Sequence, residues 1–507
     1  MELSPVLSMY KRYSKYTTQT HTCRPETPAD FGQLVEMEIP RYGDFIKTMF
    51  VKLTLPPTYG APESYDRMYI YTGSPGLHIF EYVDLVIGDK VIERLDGYSM
   101  ALYFMKRYGP MYNDVFDDAL GGNPEQHFEY SPLNGLEFYS MPGPNNVFGS
   151  ESFNLNYVNN RNRTIFYPLP FYFFNKPSLS IPICLLHKQE IKLRFKFRDW
   201  QDLIIVDGET ALDFIETYGA GKTPEGDYDS RNYAKVDFST IFGPLKLVDF
   251  SVPVEFAYIS DDDYKYFSSR PCTYLINQTQ RQLIDVESNV FNIETRIDFI
   301  NPVKNIDFFV KYKNNDRNFF RNLYNMKANY ARSKNGKAYI HHIESIQLNF
   351  DGETFLSESV ANYEFLTYMQ KYKHNLGFYN VTRSDRWQTN IPYITSYYPG
   401  DALHTFKKMI LANNPYNMYA KSVSGPFYSY SFALDPFSEK PTGYMNFSTI
   451  RNAYMTINMF SDRQTVSSTL LLSEPRQVYL YADTINILTF DPVKGNATLK
   501  FQNPTYT

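Results

Sequence analysis

The most regular feature of the chain is a set of short stretches in which apolar and polar residues alternate, separated by turn residues. The clearest is residues 190–197, where isoleucine, leucine and phenylalanine alternate with lysine and arginine. Because successive side chains of a strand point to opposite faces, this pattern predicts a strand with one buried and one solvated face, as in an antiparallel sandwich or barrel. Phe45–Leu55 is predicted to be another strand, ending at Pro56-Pro57.

A hairpin is predicted over residues 81–93. Apolar residues alternate over 83–87 before the dipeptide Gly88-Asp89, and residues 90–93 return. Glycine supplies the positive φ that two-residue hairpin turns require. The turn chemistry and the alternation therefore predict the same structure.

A helix is predicted directly after this hairpin. From Tyr98 to Met105 the apolar residues follow helical spacing, and Asp96 can cap the start. Lys106 and the arginine after it fall in the last turn, where positive charge is favourable, and Gly109-Pro110 ends the helix.

The same order of elements recurs in the second half of the chain. Residues 344–356 match 81–93 at an offset of 263 residues, and they carry Asp351-Gly352 at the turn. At an offset of 264 residues, Met105-Lys106-Arg107-Tyr108 matches Met369-Gln370-Lys371-Tyr372, and Lys176-Pro177 matches Lys440-Pro441. At the same offset, Ile191, Leu193 and Phe195 match Met455, Ile457 and Met459. Phe50-Val51-Lys52 matches Phe309-Val310-Lys311 at an offset of 259 residues. Matches in one order at nearly one offset indicate an internal duplication.

The predicted fold is all-β, with two tandem eight-stranded jelly-roll β-sandwiches, short helices and long loops. Residues 110–164 and 373–425 are predicted to be long loops, a common place for functional surfaces. The predicted divisions are an N-terminal arm at 1–30, a first jelly roll at 31–200, a linker at 201–245 and a second jelly roll at 246–507.

Composition supports the β prediction and narrows the function. The 507 residues include 45 Tyr and 40 Phe, which favour strands. The net charge of −5 argues against a protein that coats nucleic acid, so no direct nucleic-acid binding is expected. Three cysteines cannot form a disulfide framework, and neither a secretory signal nor a membrane-spanning apolar run is evident, so we expect synthesis in the cytosol.

The residues that could carry chemistry do not assemble into a recognisable motif. The eight histidines show no metal-ligand spacing, and no nucleophile or phosphate-loop motif is present. Asp261-Asp262-Asp263 could suggest a cation site, but acidic residues favour helix N-termini, and we expect them to open a short helix. We therefore predict no enzyme activity, no cofactor, and no catalytic, cofactor-binding or metal-binding residues. A site assembled from distant carboxylates stays open.

Several segments resemble the double jelly-roll major capsid proteins of large eukaryotic DNA viruses, such as iridoviruses, phycodnaviruses, marseilleviruses and the asfarvirus lineage. The most specific is residues 430–436, YSFALDP, with KPTG at 440–443 and NFS at 446–448 behind it. Others are residues 39–45, 169–173, 175–177, 181–182 and 274–278. The likeness spans most of residues 31–500.

The resemblance implies that three copies form a pseudo-hexagonal capsomer and that such capsomers tile the facets of an icosahedral virion. It further implies contacts with neighbouring capsomers and with minor capsid and penton proteins. The long loops would face outward, where a host receptor or glycan could bind, and the N-terminal arm would lie beneath, against inner membrane-associated proteins. The implied location is the virion, with assembly in the host cytoplasm.

Three alternatives remain open. A tandem β-sandwich that binds carbohydrate or a receptor would share the strands and aromatic residues. A capsid-like assembly scaffold would share the whole fold. An enzyme on a jelly-roll or cupin scaffold would need a histidine and carboxylate metal set, which the sequence does not reveal.

Overall fold

The computed structural model shows an architecture built mostly of antiparallel strands. It describes residues 15–56, 69–71, 75–108, 163–206, 244–287, 290–312, 331–332, 338–339, 343–362, 364–374, 427–438, 440–459 and 476–501. Most of the predicted loops 110–164 and 373–425 lie outside these residues.

The first half, as far as it is described, runs from β1 to β11. Its strands are β1 (Tyr16–Cys23), β2 (Leu34–Glu38), β3 (Phe45–Leu55), β4 (Tyr69–Tyr71), β5 (Phe80–Ile87), β6 (Lys90–Leu95), β7 (Arg163–Pro168), β8 (Ile181–Pro182), β9 (Ile191–Phe197), β10 (Ile204–Val206) and β11 (Asp249–Ile259). Its helices are α1 (Pro75–His78) and α2 (Gly97–Tyr108), with 3₁₀ turns at Pro177–Leu179, Ile183–Leu185 and Trp200–Leu203.

The second half begins with α3 (Asp261–Ser268). Its strands are β12 (Cys272–Val286), β13 (Asn292–Arg296), β14 (Pro302–Tyr312), β15 (Ala331–Arg332), β16 (Ala338–Tyr339), β17 (Ile343–Phe350), β18 (Glu353–Leu356), β19 (Tyr428–Ser431), β20 (Met445–Asn446), β21 (Ala453–Met459), β22 (Arg476–Asp491) and β23 (Asn496–Leu499). A π-helical segment, Phe365–Met369, leads into α4 (Gln370–Lys373), and a 3₁₀ turn covers Phe447–Thr449.

The strands form two sandwiches with the same order. The first pairs a β1-β11-β3-β7 sheet with a β2-β9-β5-β6 sheet, and the second pairs β12-β22-β14-β19 with β13-β21-β17-β18. The short strands β8 and β20 pair with the equivalent strands β3 and β14. This confirms the predicted duplication and the fold class of two eight-stranded jelly rolls.

The local predictions for the clearest elements are confirmed. Alternate residues of β9 are buried, as its pattern predicts. The two hairpin turns contain Gly88 at φ 61° and Gly352 at φ 91°, the left-handed conformation that glycine adopts most easily. At the start of α2 the Asp96 carboxylate accepts a hydrogen bond from the Ser99 N–H at 2.7 Å, which is the predicted cap.

The strand pairing differs from two of the predicted divisions. Strand β11 falls in the predicted second jelly roll, 246–507, yet it pairs with β1 and β3, and its Phe250 and Val254 are buried in the first core. Strand β1 falls in the predicted arm, 1–30, yet every one of its residues pairs with β11. The chain therefore passes to the second sandwich at α3, between β11 and β12.

The reason for the missed strand lies in the composition of β1. It is an outer strand of its sheet, and most of its side chains, in the sequence YTTQTHTC, are exposed. An edge strand exposed on both faces carries no apolar alternation, so its pairing is invisible to a periodicity analysis. Of the predicted linker 201–245, residues 207–243 lie outside the described residues.

Cross-strand pairing also corrects the predicted register of the β9 and β21 match. Leu85 lies opposite Leu193, and its equivalent Leu348 lies opposite Met455. Leu193 thus corresponds to Met455 and not to Ile457. The corrected match differs from the predicted one by one alternation, that is, by two residues. Every side chain therefore keeps its face of the sheet, and the alternating pattern alone cannot detect such a shift.

The match between β3 and β14 shifts in the same way. Ile46 pairs with Ile181 of β8, and Val303 pairs with Met445 of β20. The register with the neighbouring long strand shifts directly after each of these residues, at Lys47 and at Lys304. Lys52 is therefore equivalent to Phe309, whereas the predicted partner of Lys52 was Lys311, one alternation further along the chain.

Two clusters of buried apolar residues stabilise the sandwiches. One lies inside the second sandwich and includes Phe308, Leu348 and Ile457. The other fills the first sandwich and continues into the second through residues such as Phe309 and Tyr481. The two sandwiches are therefore packed against each other by apolar contacts that are continuous with the first core.

Strand β1 is predicted to be essential to the first sandwich. Deleting residues 1–24 would expose the edge of β11 and part of the core of the first sandwich. An unpaired strand edge favours aggregation. We expect a lower thermal midpoint and concentration-dependent aggregation, measured by circular dichroism and light scattering. Deletion of residues 1–14 leaves β1 complete and is the control; equal behaviour of the two deletions would contradict the assignment.

Candidate functional site

The described residues bring together no recognisable metal site. Within those ranges no three His, Cys, Asp or Glu side chains are grouped so as to hold a metal ion. His21 stacks on Tyr42 with ring centroids 4.5 Å apart, and its Nε2 lies 3.3 Å from the Tyr258 hydroxyl. The histidines at 127, 341, 342 and 404 lie outside the described residues.

The three aspartates 261–263 form the first turn of α3. Ser260 caps this helix, since its hydroxyl oxygen accepts from the Asp263 N–H at 3.4 Å and also donates to the Asp263 carboxylate at 2.9 Å. The acidic cluster thus has the helix-opening role that the sequence predicts.

The three cysteines are all free thiols in the structure. Cys23 is buried, and Cys184 and Cys272 are partly buried. Burial raises the pKa of the Cys23 thiol to about 11 and that of Cys184 to about 12, so neither is a reactive thiolate at neutral pH.

The most highly structured polar region is the contact between the two sandwiches, which we call the seam. On the first sandwich it comprises β6, α2 and residues 169–176. On the second it comprises the outer face of the β12-β22-β14-β19 sheet. Several charged side chains are buried there, and they are described in turn below.

Lys106, near the end of α2, is the central residue of the seam. Its Nζ donates to Asp307 of β14 at 2.5 Å and to Asp483 of β22 at 2.9 Å. Asp307 also accepts from the Ser429 hydroxyl and from the Asn305 amide. Burial alone would lower the pKa of Lys106, but the two carboxylates together raise it, so the lysine stays charged.

Asp96 joins the start of α2 to the second sandwich. Besides capping the helix, its carboxylate accepts from the Tyr481 hydroxyl at 3.1 Å and from Arg281 Nη1 at 3.1 Å. Because one side chain serves the helix and two strands of the other sandwich, the orientation of α2 is tied to β12 and β22.

Lys311 of β14 lies between aromatic rings. Its Nζ donates to the Tyr98 hydroxyl at 2.8 Å and lies 5.3 and 5.4 Å from the ring centroids of Tyr98 and Tyr479. Burial, with a further contribution from Arg198, lowers the pKa of Lys311 to about 7. The rings contribute cation–π attraction when the amine is charged.

Glu93 of β6 borders a cavity of about 80 Å³ inside the seam, next to Lys106 and Asp483. Its Oε2 accepts from the backbone N–H of Tyr172 at 2.7 Å. Burial raises the pKa of Glu93 to about 8, so it is mostly protonated at neutral pH. The Tyr172 hydroxyl has no hydrogen-bond partner among the described residues, and the cavity is large enough for water to solvate it.

These groups fix the position of the two sandwiches relative to each other. Every charged side chain named above is neutralised or hydrogen-bonded, and the contacts that cross the seam depend on the relative position of two β-sheets. The chemistry of the seam therefore serves to fix geometry.

The sequence predicts for Lys106 only a favourable position near the helix C-terminus. The structure places it in the last turn as predicted, but its partners are carboxylates of the second sandwich. One signal could have revealed this: Lys106 lies one helical turn after Leu102, on the apolar stripe of the helix, where an unpaired lysine would be costly.

Replacing Lys106 by Met is predicted to destabilise the protein by about 3–5 kcal/mol, because Asp307 would be left buried, and Asp483 partly buried, without a cation. Urea unfolding measures the effect. Lys192→Met is the control, since Lys192 forms a surface ion pair with Glu190 and such pairs contribute little to stability. Equal losses in the two variants would contradict a role for the buried network.

Glu93→Gln is predicted to change how stability depends on pH. The unfolded carboxyl ionises near its usual pKa of 4.5, whereas the folded one stays protonated up to about pH 8, so wild-type stability falls through that window. Glutamine can still accept from the Tyr172 N–H and does not titrate. As the pH rises through that window, the free energy of unfolding of the variant should therefore increase relative to that of the wild type by roughly 2–4 kcal/mol. Parallel stability profiles in urea titrations would refute this.

None of the helices in the described ranges is both long and apolar enough to cross a membrane.

Comparison with known protein sequences points to one group. Residues 6–228 match the family model described as major capsid protein N-terminus. The chain is 22% identical over 309 residues to capsid protein 1 of Acanthamoeba polyphaga mimivirus and 21% identical over 272 residues to the major capsid protein of Phaeocystis pouchetii virus. These alignments cover 60% and 54% of this chain, but only 44% and 47% of the two relatives, so the chain matches about half of their length.

Comparison with solved structures covers nearly the whole chain. The crystal structure of PBCV-1 VP54 superposes with a TM-score of 0.60 at 17% identity, over 99% of this chain and 100% of that one. The Faustovirus major capsid protein gives a TM-score of 0.58 at 12% identity, over 97% and 93%. At such identities the structural likeness establishes the fold. Together with the sequence matches, it confirms the predicted resemblance to the major capsid proteins of large DNA viruses, whose double jelly-roll fold this chain shares.

Proposed function

We propose that this chain is the structural subunit of a viral capsid, and that three copies form a pseudo-hexagonal capsomer. Such capsomers would tile the facets of an icosahedral virion, in contact with neighbouring capsomers and with minor capsid and penton proteins. The chain acts by shape and not by catalysis.

The observation that carries this proposal is the pair of equivalent sandwiches fixed side by side by a buried seam. Threefold symmetry acting on such a chain generates six similar sandwiches around one axis. A six-sided unit packs on a flat lattice without gaps, which is what the facet of a large shell requires. The names of the related proteins agree with this function.

The finer contacts of the subunit are also proposals. Residues 1–14, which include Lys11 and Arg12, would face inward toward minor capsid proteins or inner membrane-associated proteins. The segments 110–164 and 373–425 would form the outward surface and would be where a receptor or glycan binds. Assembly would take place in the host cytoplasm.

A capsid-like assembly scaffold is the second candidate, since the same fold and trimer would serve it. The two differ in whether the chain remains in the mature particle. Mass spectrometry of purified virions distinguishes them: a capsid subunit is a dominant component, whereas a scaffold is depleted relative to assembly intermediates.

The purified protein is predicted to be a trimer. Its solution mass should be three times the chain mass of 59.3 kDa, measurable by size-exclusion chromatography with light scattering. Negative-stain images should show hexagonal outlines of one size. A stable monomer that keeps the mass of a single chain when co-expressed with the other capsid components would argue against the proposal.

A further inference from the structure

The two sandwiches contact each other at a second place, around residues 183–189 of the first sandwich. The Lys188 N–H donates to the Gly495 carbonyl oxygen at 3.1 Å. The Ala497 N–H, in β23 of the second sandwich, donates to Gln189 Oε1 at 2.7 Å. This segment therefore lies directly against the end of the second sandwich.

This second contact is separate from the Lys106 network. Ala497, which bonds to Gln189, lies opposite Phe490 of β22. Phe490 is seven residues along the chain from Asp483, the partner of Lys106. Seven residues of an extended strand span about 24 Å, so the two contacts hold different ends of the sheet.

Each side of the second contact carries a cysteine. Cys184 lies in the 3₁₀ turn Ile183–Leu185, and its N–H donates to the Asp44 carbonyl oxygen at 3.2 Å. Cys272 is the first residue of β12 and lies opposite Phe490. The turn that contains Cys184 also packs against α3, which ends four residues before Cys272. One thiol from each sandwich is therefore held at this contact.

The two thiols share one packed region. Cys272 and Tyr274 are two residues apart on β12, so their side chains lie on the same face of the strand. Tyr274 belongs to the apolar cluster that fills the first sandwich, and both Cys184 and Cys272 pack against that cluster. The side chain of Cys272 is therefore directed toward the sandwich that carries Cys184.

Electrostatic effects between these side chains agree with that placement. The pKa of Cys184 is raised to about 12, chiefly by burial and then by Asp44 and Cys272. The pKa of the Tyr274 hydroxyl is also raised, by burial and then by Cys272 and Cys184. An ionised group has such an effect on its neighbours only at short range. Cys184, Cys272 and Tyr274 thus form one cluster.

We propose that Cys184 and Cys272 form a disulfide bond within one chain when the protein passes from a reducing to an oxidising medium. The bond joins the two sandwiches covalently at the second contact. Both thiols are partly buried and partly exposed, so a small oxidant can reach them. Thiols stay reduced in the cytosol and disulfides persist outside the cell, so the bond forms after synthesis is complete.

The oxidant of this step is a small disulfide, such as glutathione disulfide. One cysteine thiolate attacks a sulfur of the oxidant, whose S–S bond breaks, and one glutathione leaves as a thiolate. The second cysteine gives its proton to the solvent and attacks the protein sulfur of the mixed disulfide, which releases the second glutathione. Two protein thiols are oxidised, and one glutathione disulfide is reduced to two glutathione thiols. Because only thiolates attack and the pKa of Cys184 is high, the reaction should become faster as the pH rises.

The third cysteine is too distant to compete for this bond. Cys23 lies opposite Val252 of β11. Cys184 bonds to Asp44, and the Asp44 N–H donates to the Ala257 carbonyl oxygen, five residues further along β11. Five residues of an antiparallel strand span about 17 Å, whereas a disulfide needs Cα atoms within about 7 Å of each other. Cys23 therefore offers a matched control.

The test incubates the purified full chain with glutathione disulfide or, in parallel, with reduced glutathione. Free thiols are then alkylated in denaturant and counted by intact mass. The reduced chain should carry an alkyl group on each of its three cysteines, and the oxidised chain should carry one, on Cys23. Peptide mass spectrometry should identify a cross-link between Cys184 and Cys272.

Serine variants assign the bond. Cys23→Ser should oxidise to the same cross-linked product as the wild type, whereas Cys184→Ser and Cys272→Ser should give no cross-link. Oxidation should raise the thermal midpoint of the wild type and of Cys23→Ser, because closing a long loop restricts the unfolded chain. The other two variants should show no such increase. Circular dichroism confirms that each variant is folded.

The proposal is overturned by a wild type that keeps three alkylatable thiols or that ends as a mixed disulfide with glutathione. A cross-link between two chains, or one that includes Cys23, would overturn it as well. The peptide cross-link of the wild type is decisive even where a serine variant does not fold. None of these measurements depends on the oligomeric state, so the bond and the proposed trimer are tested separately.

Discussion

Burial of the Lys106 ammonium between Asp307 and Asp483 is the constraint on which the relation of the two sandwiches depends. Removing three charges from water costs several kcal/mol per ion, and only close geometry recovers that cost. An apolar contact tolerates small sliding movements, but a desolvated ion with hydrogen bonds at 2.5 and 2.9 Å does not. The network therefore fixes one angle between the sandwiches.

The elements around this network each add to the same constraint. Asp96 anchors the start of α2 on Arg281 and Tyr481, and Lys106 anchors its end. The helix is held at both ends on one face of the second sandwich, and Phe309 extends the first core beneath it. A rigid pair of sandwiches is what a shell needs, because an error in the angle within one subunit would be multiplied across a facet.

Local signals in the sequence predicted the elements that depend on neighbouring residues, and the elements that depend on contacts across the chain were missed. The alternation in β9, the Gly88 turn and the Asp96 cap each follow from neighbouring residues, and the nearly constant offset between matching segments exposed the duplication. Strand β1 has no such signal, because it is polar and is held in place by pairing with β11, which is distant in the chain. The seam was missed for the same reason: the partners of Lys106 are 201 and 377 residues distant.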